Sequence, residues 1–149
     1  MKKLLFIALI ISSSLTISAQ KLDFGAGIQF FDLDVFGIQG KALYGFNEKI
    51  DVAGTFTFYF HEFLDFGIDF DGQYKLLNVS DKFNLYPIAG INISRASVDI
   101  FGISSSDTNV GFNLGAMFDF VLDKYRIYAE PKIIITDGTP FNVSAGILF

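Results

Sequence analysis

From Lys21 onward the apolar positions recur at every second residue, and no helical spacing persists over three turns. Eight alternating runs result: Leu22 to Phe30, Phe36 to Phe46, Ile50 to Phe60, Leu64 to Leu76, Phe83 to Ile93, Val110 to Leu122, Tyr125 to Ile135 and Phe141 to Phe149. Successive side chains of a strand point to opposite faces, so each run predicts a strand with one apolar face. Across the eight runs that face has 48 positions, none charged, and holds 15 of the 19 Phe.

The opposite face is polar and small. It carries Asp23, Gln29, Gln39, Lys41, Asp51, Thr55, Asp69, Asp71, Gln73, Lys75, Asn92, Asn113, Asp119, Arg126, Glu130 and Lys132, with nine of the 14 Gly. Two architectures share this alternation. A soluble ligand-binding barrel turns its apolar face inward, whereas a membrane barrel turns it toward lipid and keeps the polar face in the lumen. Volume separates them. An eight-stranded barrel has an interior only just wide enough for side chains, and 15 Phe with rows of Ile and Leu overfill it. The expected fold is therefore all-β, an eight-stranded antiparallel up-and-down transmembrane barrel. Its rival is a secreted lipocalin-like carrier of apolar ligands.

The connections fit a membrane barrel. With the first strand starting in the periplasm, the inner connections fall at Asn47 to Lys49, Leu77 to Lys82 and Asp123-Lys124, all short and polar. The outer ones fall at Asp32 to Asp34, His61-Glu62, Arg95 to Asn109 and Asp137 to Pro140. The longest lies outside, as in known barrels of this type, and an even number of strands leaves no edge open to lipid. Tyr44, Phe46, Phe83, Tyr125 and Phe149 fall near the inner ends, as an aromatic girdle. Pro87 and Pro131 conflict with this pattern, because each removes a ladder donor inside a predicted strand.

The N-terminus adds a location. Met1-Lys2-Lys3 precedes the apolar stretch Leu4 to Ile11, and Ile17-Ser18-Ala19 offers a small-residue cleavage site before Gln20, which together read as a secretory signal over residues 1–19. The barrel domain then spans 20–149. Removing the signal takes away two Lys and leaves 130 residues of net charge −7. That charge argues against nucleic-acid binding, which needs clustered Lys and Arg. The absence of Cys excludes disulfides, thiolate metal sites and an N-terminal lipid-modified Cys.

The signal segment, the eight runs, the stretch Phe83-Asn84-Leu85-Tyr86-Pro87-Ile88-Ala89-Gly90-Ile91-Asn92 and the last strand ending Ser144-Ala145-Gly146-Ile147-Leu148-Phe149 resemble the outer-membrane β-barrel domain family. These are small porin-like barrels of the Bacteroidota type, and the likeness covers residues 20–149. It implies a cell outer-membrane location, insertion by the barrel assembly machinery with Phe149 in the recognition signal, and no catalytic residues to carry over.

Candidate chemistry is sparse. His61 is the only histidine and has no Cys or Ser neighbour, so a solvated turn is preferred over a catalytic role, the rival being an outer-membrane lipid-modifying enzyme. Asp65, Asp69 and Asp71 share one strand face and suit a calcium site or a glycosidase carboxylate pair. A lumen network neutralised by Lys41, Lys75 and Arg126 is the preferred alternative. The expected site is thus a lumen charge network of Lys41, Asp69, Asp71, Lys75, Asp119, Arg126, Glu130 and Lys132, with no cofactor, no metal and no catalytic residue. The expected partners are outer-membrane lipids and the assembly machinery. The expected function is non-enzymatic, in a monomer: structural or surface-interacting, or a very narrow porin-like pore.

Overall fold

A computed structural model describes residues 21–80, 82–100 and 103–149; the expected signal segment lies outside the described residues. The strands are β1 (Leu22–Phe31), β2 (Val35–Gly45), β3 (Ile50–Tyr59), β4 (Phe66–Tyr74), β5 (Leu77–Ser80), β6 (Phe83–Ile100), β7 (Ile103–Val121), β8 (Arg126–Ile135) and β9 (Phe141–Leu148). Among the described residues there is no helix. Each strand pairs antiparallel with its chain neighbour except that β4 and β5 both pair with β6 rather than with each other, and β1 pairs β9, so the sheet closes on itself. Phe149 continues the β1–β9 seam: its backbone N–H donates to Phe24 O at 2.8 Å and its carbonyl accepts from Phe24 N at 3.1 Å.

Eight strands ring the barrel, and β5 is the ninth segment. It continues the line of β4 beside β6 after a break at Lys75-Leu76. Residues 77–82, expected as a connection, are thus partly paired. The slip of register coincides with Pro87: Gln73 lies opposite Ile88, but Leu77 lies opposite Leu85. Carbonyls of the odd residues of β6 point to this side, as in the Leu85 and Arg95 carbonyls that accept from Leu76 and Asp65. Pro87, which has no N–H, therefore faces the break, while its ladder to β7 runs through unbroken. Pro131 behaves alike. The β7–β8 ladder lapses between Gly115–Lys132 and Phe118–Ala129, opposite Pro131, and the β8–β9 ladder stays intact. Both prolines occupy positions where a missing donor leaves no ladder bond broken.

The other difference lies at the end of the barrel remote from Lys21 and Phe149, here the far end. The segment 95–109, expected as a loop, is mostly paired, because β6 and β7 extend as a hairpin to Ile100 and Ile103. At the same end Asp32 and Leu33 turn β1 into β2 with φ of 51° and 64°, and Asp34 N–H donates to Phe31 O at 3.2 Å. Two successive positive φ values suit the right-handed twist of a tight hairpin.

The faces fall as the alternation requires of a membrane barrel. Not one of the 48 apolar-row residues is buried, while the buried polar set, from Asp23 to Ser144, lies wholly on the other face. Outside, Phe30, Phe36 and Phe60 form a chain of rings with centroids 5.5 and 5.8 Å apart. The apolar surface is thus the outer wall, and a lumen of side chains is the core.

Candidate lumen network

Strand β8 supplies lumen side chains at every second position: Arg126, Tyr128, Glu130, Lys132 and Ile134. Its alternation with the outward Ile127, Ala129, Pro131 and Ile133 places base, phenol, acid and base in one file down the interior. Each reaches across the barrel or to a neighbouring strand.

At mid-barrel, Lys132 Nζ lies 2.9 Å from Asp71 Oδ2, 3.3 Å from Asp69 Oδ2 and 3.1 Å from Glu130 Oε1. Lys41 on β2 hydrogen-bonds the other Glu130 oxygen, Oε2, and its Nζ stands 4.7 Å above the Tyr128 ring, within cation–π reach. Asn92 and Asn113 each donate to Asp69 Oδ1 at 2.8 Å, and Asn113 also donates to Asp71 Oδ1 at 2.8 Å. Two ammonium groups thus face three carboxylates, and the amide donors also serve two of them, Asp69 and Asp71. All five charged side chains are at most 2% exposed, so pairing is what makes their burial tolerable.

A second cluster lies toward the near end. Arg126 hydrogen-bonds Asp23 on β1 through Nη2 and Asp119 on β7 through Nη1, the latter at 2.9 Å. Asn84 Nδ2 donates to Asp119 Oδ1 at 2.8 Å. Lys75, just past the end of β4, meets Asp51 at 3.2 Å and is partly exposed.

The expected network residues therefore divide in two. Lys41, Asp69, Asp71, Glu130 and Lys132 form the central cluster; Asp119 and Arg126 belong to the lower one, and Lys75 stands at the rim. The pairing also differs from expectation. Lys132 neutralises Asp69 and Asp71, whereas Lys41, Lys75 and Arg126 serve Glu130, Asp51, and Asp23 with Asp119. Lys75 lies one residue beyond β4, so its side chain reaches the lumen only at the near-end mouth, beside Asp51, Asp23 and Arg126. Asp65 is also outside the network: it precedes β4 and accepts from Ser97 Oγ at 2.8 Å. Among the described residues no group of three or more His, Cys, Asp or Glu side chains is arranged to hold a metal ion.

Three tyrosines that the expected network does not include fill the lumen between these charges. Tyr59, Tyr86 and Tyr128 share the phase of Asp51, Asn92 and Glu130 on their strands, and that parity was the available signal. Gln29 donates to the Tyr59 hydroxyl and Gln39 to that of Tyr128, both at 2.7 Å. Glycines make the room. A Cβ on Gly146 would stand 2.7 Å from the Tyr128 hydroxyl, and one on Gly67 would stand 3.2 Å from that of Tyr59. Leu43, Ala53, Ile88, Met117 and Leu148 fill the remainder.

His61, at the far end, accepts the Phe63 N–H on Nδ1 at 3.2 Å and packs its ring 5.5 Å from that of Phe63. The geometry is that of a turn, and among the described residues no nucleophile or carboxylate is hydrogen-bonded to the ring.

The chain matches the family model described as outer membrane protein beta-barrel domain over residues 12–143. Sequence comparison with curated proteins finds no match. Among solved structures it is similar to the N-terminal β-barrel domain of Pseudomonas aeruginosa OprF, with TM-score 0.72 and 14% identity, covering 86% of this chain and 95% of that one. It is also similar to Neisserial surface protein A, at TM-score 0.66 and 18% identity, over 88% and 96% of the two chains. Ail, the attachment invasion locus protein of Yersinia pestis, aligns at TM-score 0.55 and 20% identity, over 87% and 97%. At these identities the likeness concerns the fold.

Proposed function

Since the chain belongs to the outer membrane protein beta-barrel domain family, and so to the outer membrane, we propose that it is a non-enzymatic barrel whose lumen is closed by ionic cross-braces. Its role is structural or surface-interacting. The observation that carries this reading is the set of bridges from β8 to β2 and β4, made by side chains withdrawn almost wholly from solvent. Such braces hold opposite walls together and fill the section through which a solute would pass. Wide diffusion channels use about 16 or more strands.

In this reading the near end faces the periplasm and the far end faces out. Residues 1–19 direct export and are removed, the chain works as a monomer, and the assembly machinery reads Phe149. Mass spectrometry of the membrane-extracted protein tests the first point: the reading requires a mature chain beginning at Gln20.

A second reading, a very narrow pore, draws on buried lumen atoms without a protein partner: Thr55 Oγ1, both amide atoms of Gln73 and of Asn142, and Ser144 Oγ. Reconstitution into planar bilayers under concentrated KCl separates the two. The closed-lumen reading expects a baseline without conductance steps, and regular steps from the folded protein would replace it with the narrow pore.

A further inference from the structure

At the far end the strand tips and their connections frame an open pocket of about 420 Å³. Phe31, Val35, Phe63 and Leu64 form its apolar walls, and Ser94 and Asn109 add polar groups. Phe63 is 52% exposed and sits in the connection before β4. An apolar hollow in this position is concave, framed by strand ends and the connections between them, and offers a few hydrogen-bonding groups, which is the form of a binding site.

Charge then selects the ligand. The far-end connections and strand tips hold Asp32, Asp34, Glu62, Asp65, Asp107 and Asp137, and among the described residues there the only Lys or Arg is Arg95. Every ion pair among the described residues lies in the lumen or at the near end, so none of these carboxylates forms a salt bridge with another described residue. Asp137 itself lines the pocket. These acids form no group able to hold a metal ion. A ligand that satisfies both features has an apolar tip flanked by positive charge.

We infer that the far-end mouth docks a cationic peptide segment, which seats one aromatic or large aliphatic side chain between Phe31, Val35, Phe63 and Leu64 while its flanking lysines or arginines face the carboxylates. This rests on the reading that the far end faces outward. The acidic field steers the partner, and it is screened by salt over about 8 Å at physiological ionic strength.

The test uses the full barrel refolded in phosphatidylcholine nanodiscs, with empty nanodiscs as background. Three labelled peptides of equal length serve as probes: lysines carrying two phenylalanines, lysines alone, and glutamates carrying two phenylalanines. The lysine–phenylalanine peptide binds at least about tenfold more tightly than either other peptide, a difference of about 1.4 kcal/mol. Its affinity falls with added salt. The triple variant Asp34→Asn, Glu62→Gln, Asp137→Asn weakens it by roughly tenfold and flattens the salt dependence, by removing charge without removing volume. Phe63→Ala, in an exposed connection, weakens the lysine–phenylalanine peptide toward the level of lysine alone. Equal binding of the two lysine peptides, an unchanged triple variant, or no binding above empty nanodiscs overturns the inference.

Orientation is read separately. The chain has no Cys, and a Cβ at Gly138 meets nothing closer than 3.9 Å. Gly138→Cys should react with a membrane-impermeant maleimide on intact cells. Labelling only after lysis would refute the outward reading, while the nanodisc result still decides whether the mouth docks the peptide.

Discussion

Lys132 on β8 stands across the lumen from Asp71 on β4, with Nζ 2.9 Å from Oδ2, and the same ammonium group lies within 3.3 Å of Asp69 and Glu130. One cation thus ties two walls together. Lys132→Met would leave Lys41 alone against three buried carboxylates. Breaking a buried ionic set by removing one member costs about 3–5 kcal/mol. The expected outcome is a fall of that size in urea unfolding from phospholipid vesicles, followed by the unboiled gel band because the chain has no Trp. Adding Asp71→Asn to Lys132→Met should recover part of the loss. An unchanged urea midpoint in the single variant would show that the brace contributes nothing.

Two glycines on opposite faces predict opposite results. A Cβ on Gly146 would run into the Ala26 carbonyl and stand 2.7 Å from the Tyr128 hydroxyl, whereas one on the lipid-facing Gly40 meets nothing within 4 Å. Gly146→Ala should destabilise by about 1–3 kcal/mol through overpacking, and Gly40→Ala should be neutral or slightly stabilising. Equal effects in the same unfolding assay would contradict the face assignment.

Leu33 adopts φ 64° in the β1–β2 hairpin and is 63% exposed. A left-handed conformation costs a branched L-residue about 1–2 kcal/mol, while Gly adopts it freely but loses more chain entropy on folding. Leu33→Gly should therefore raise stability by up to about 1 kcal/mol. A lowered midpoint would place the strain elsewhere.

Phe58 and Thr57 are neighbours on β3, the first exposed on the outer wall and the second wholly buried in the lumen. Phe58→Arg should cost up to about 2–4 kcal/mol for a site near the bilayer midplane. Thr57→Arg instead tests crowding beside Gln29, whose Oε1 accepts from Thr57 Oγ1 at 3.2 Å. If Phe58→Arg inserts as readily as the parent chain, the outer wall does not face lipid.

Most of the barrel was legible because lipid and lumen impose opposite chemistry on alternate residues. Phe24, Phe56 and Phe112 against Asp23, Thr55 and Asn113 leave the phase of β1, β3 and β7 unambiguous. Legibility failed where that contrast fades. Around 95–109 the chain extends β6 and β7 with Ser, Asp, Thr and Asn on both faces, so nothing in the pattern separated strand from loop. Leu43, Ile88, Met117 and Leu148 escaped for the converse reason, being apolar inside as well as out. The charge network was legible as a set of residues but not as a set of pairs. Which base meets which acid depends on strand order around the closed ring and on the break after Tyr74, neither of which alternation encodes.

The most direct test of the account is to fractionate expressing cells and run the detergent-extracted protein on a gel with and without boiling. A barrel with its apolar rows on lipid should be recovered in the outer-membrane fraction and migrate faster unboiled than boiled. Recovery in the soluble periplasm, with one mobility under both conditions, would contradict it and turn the apolar face inward.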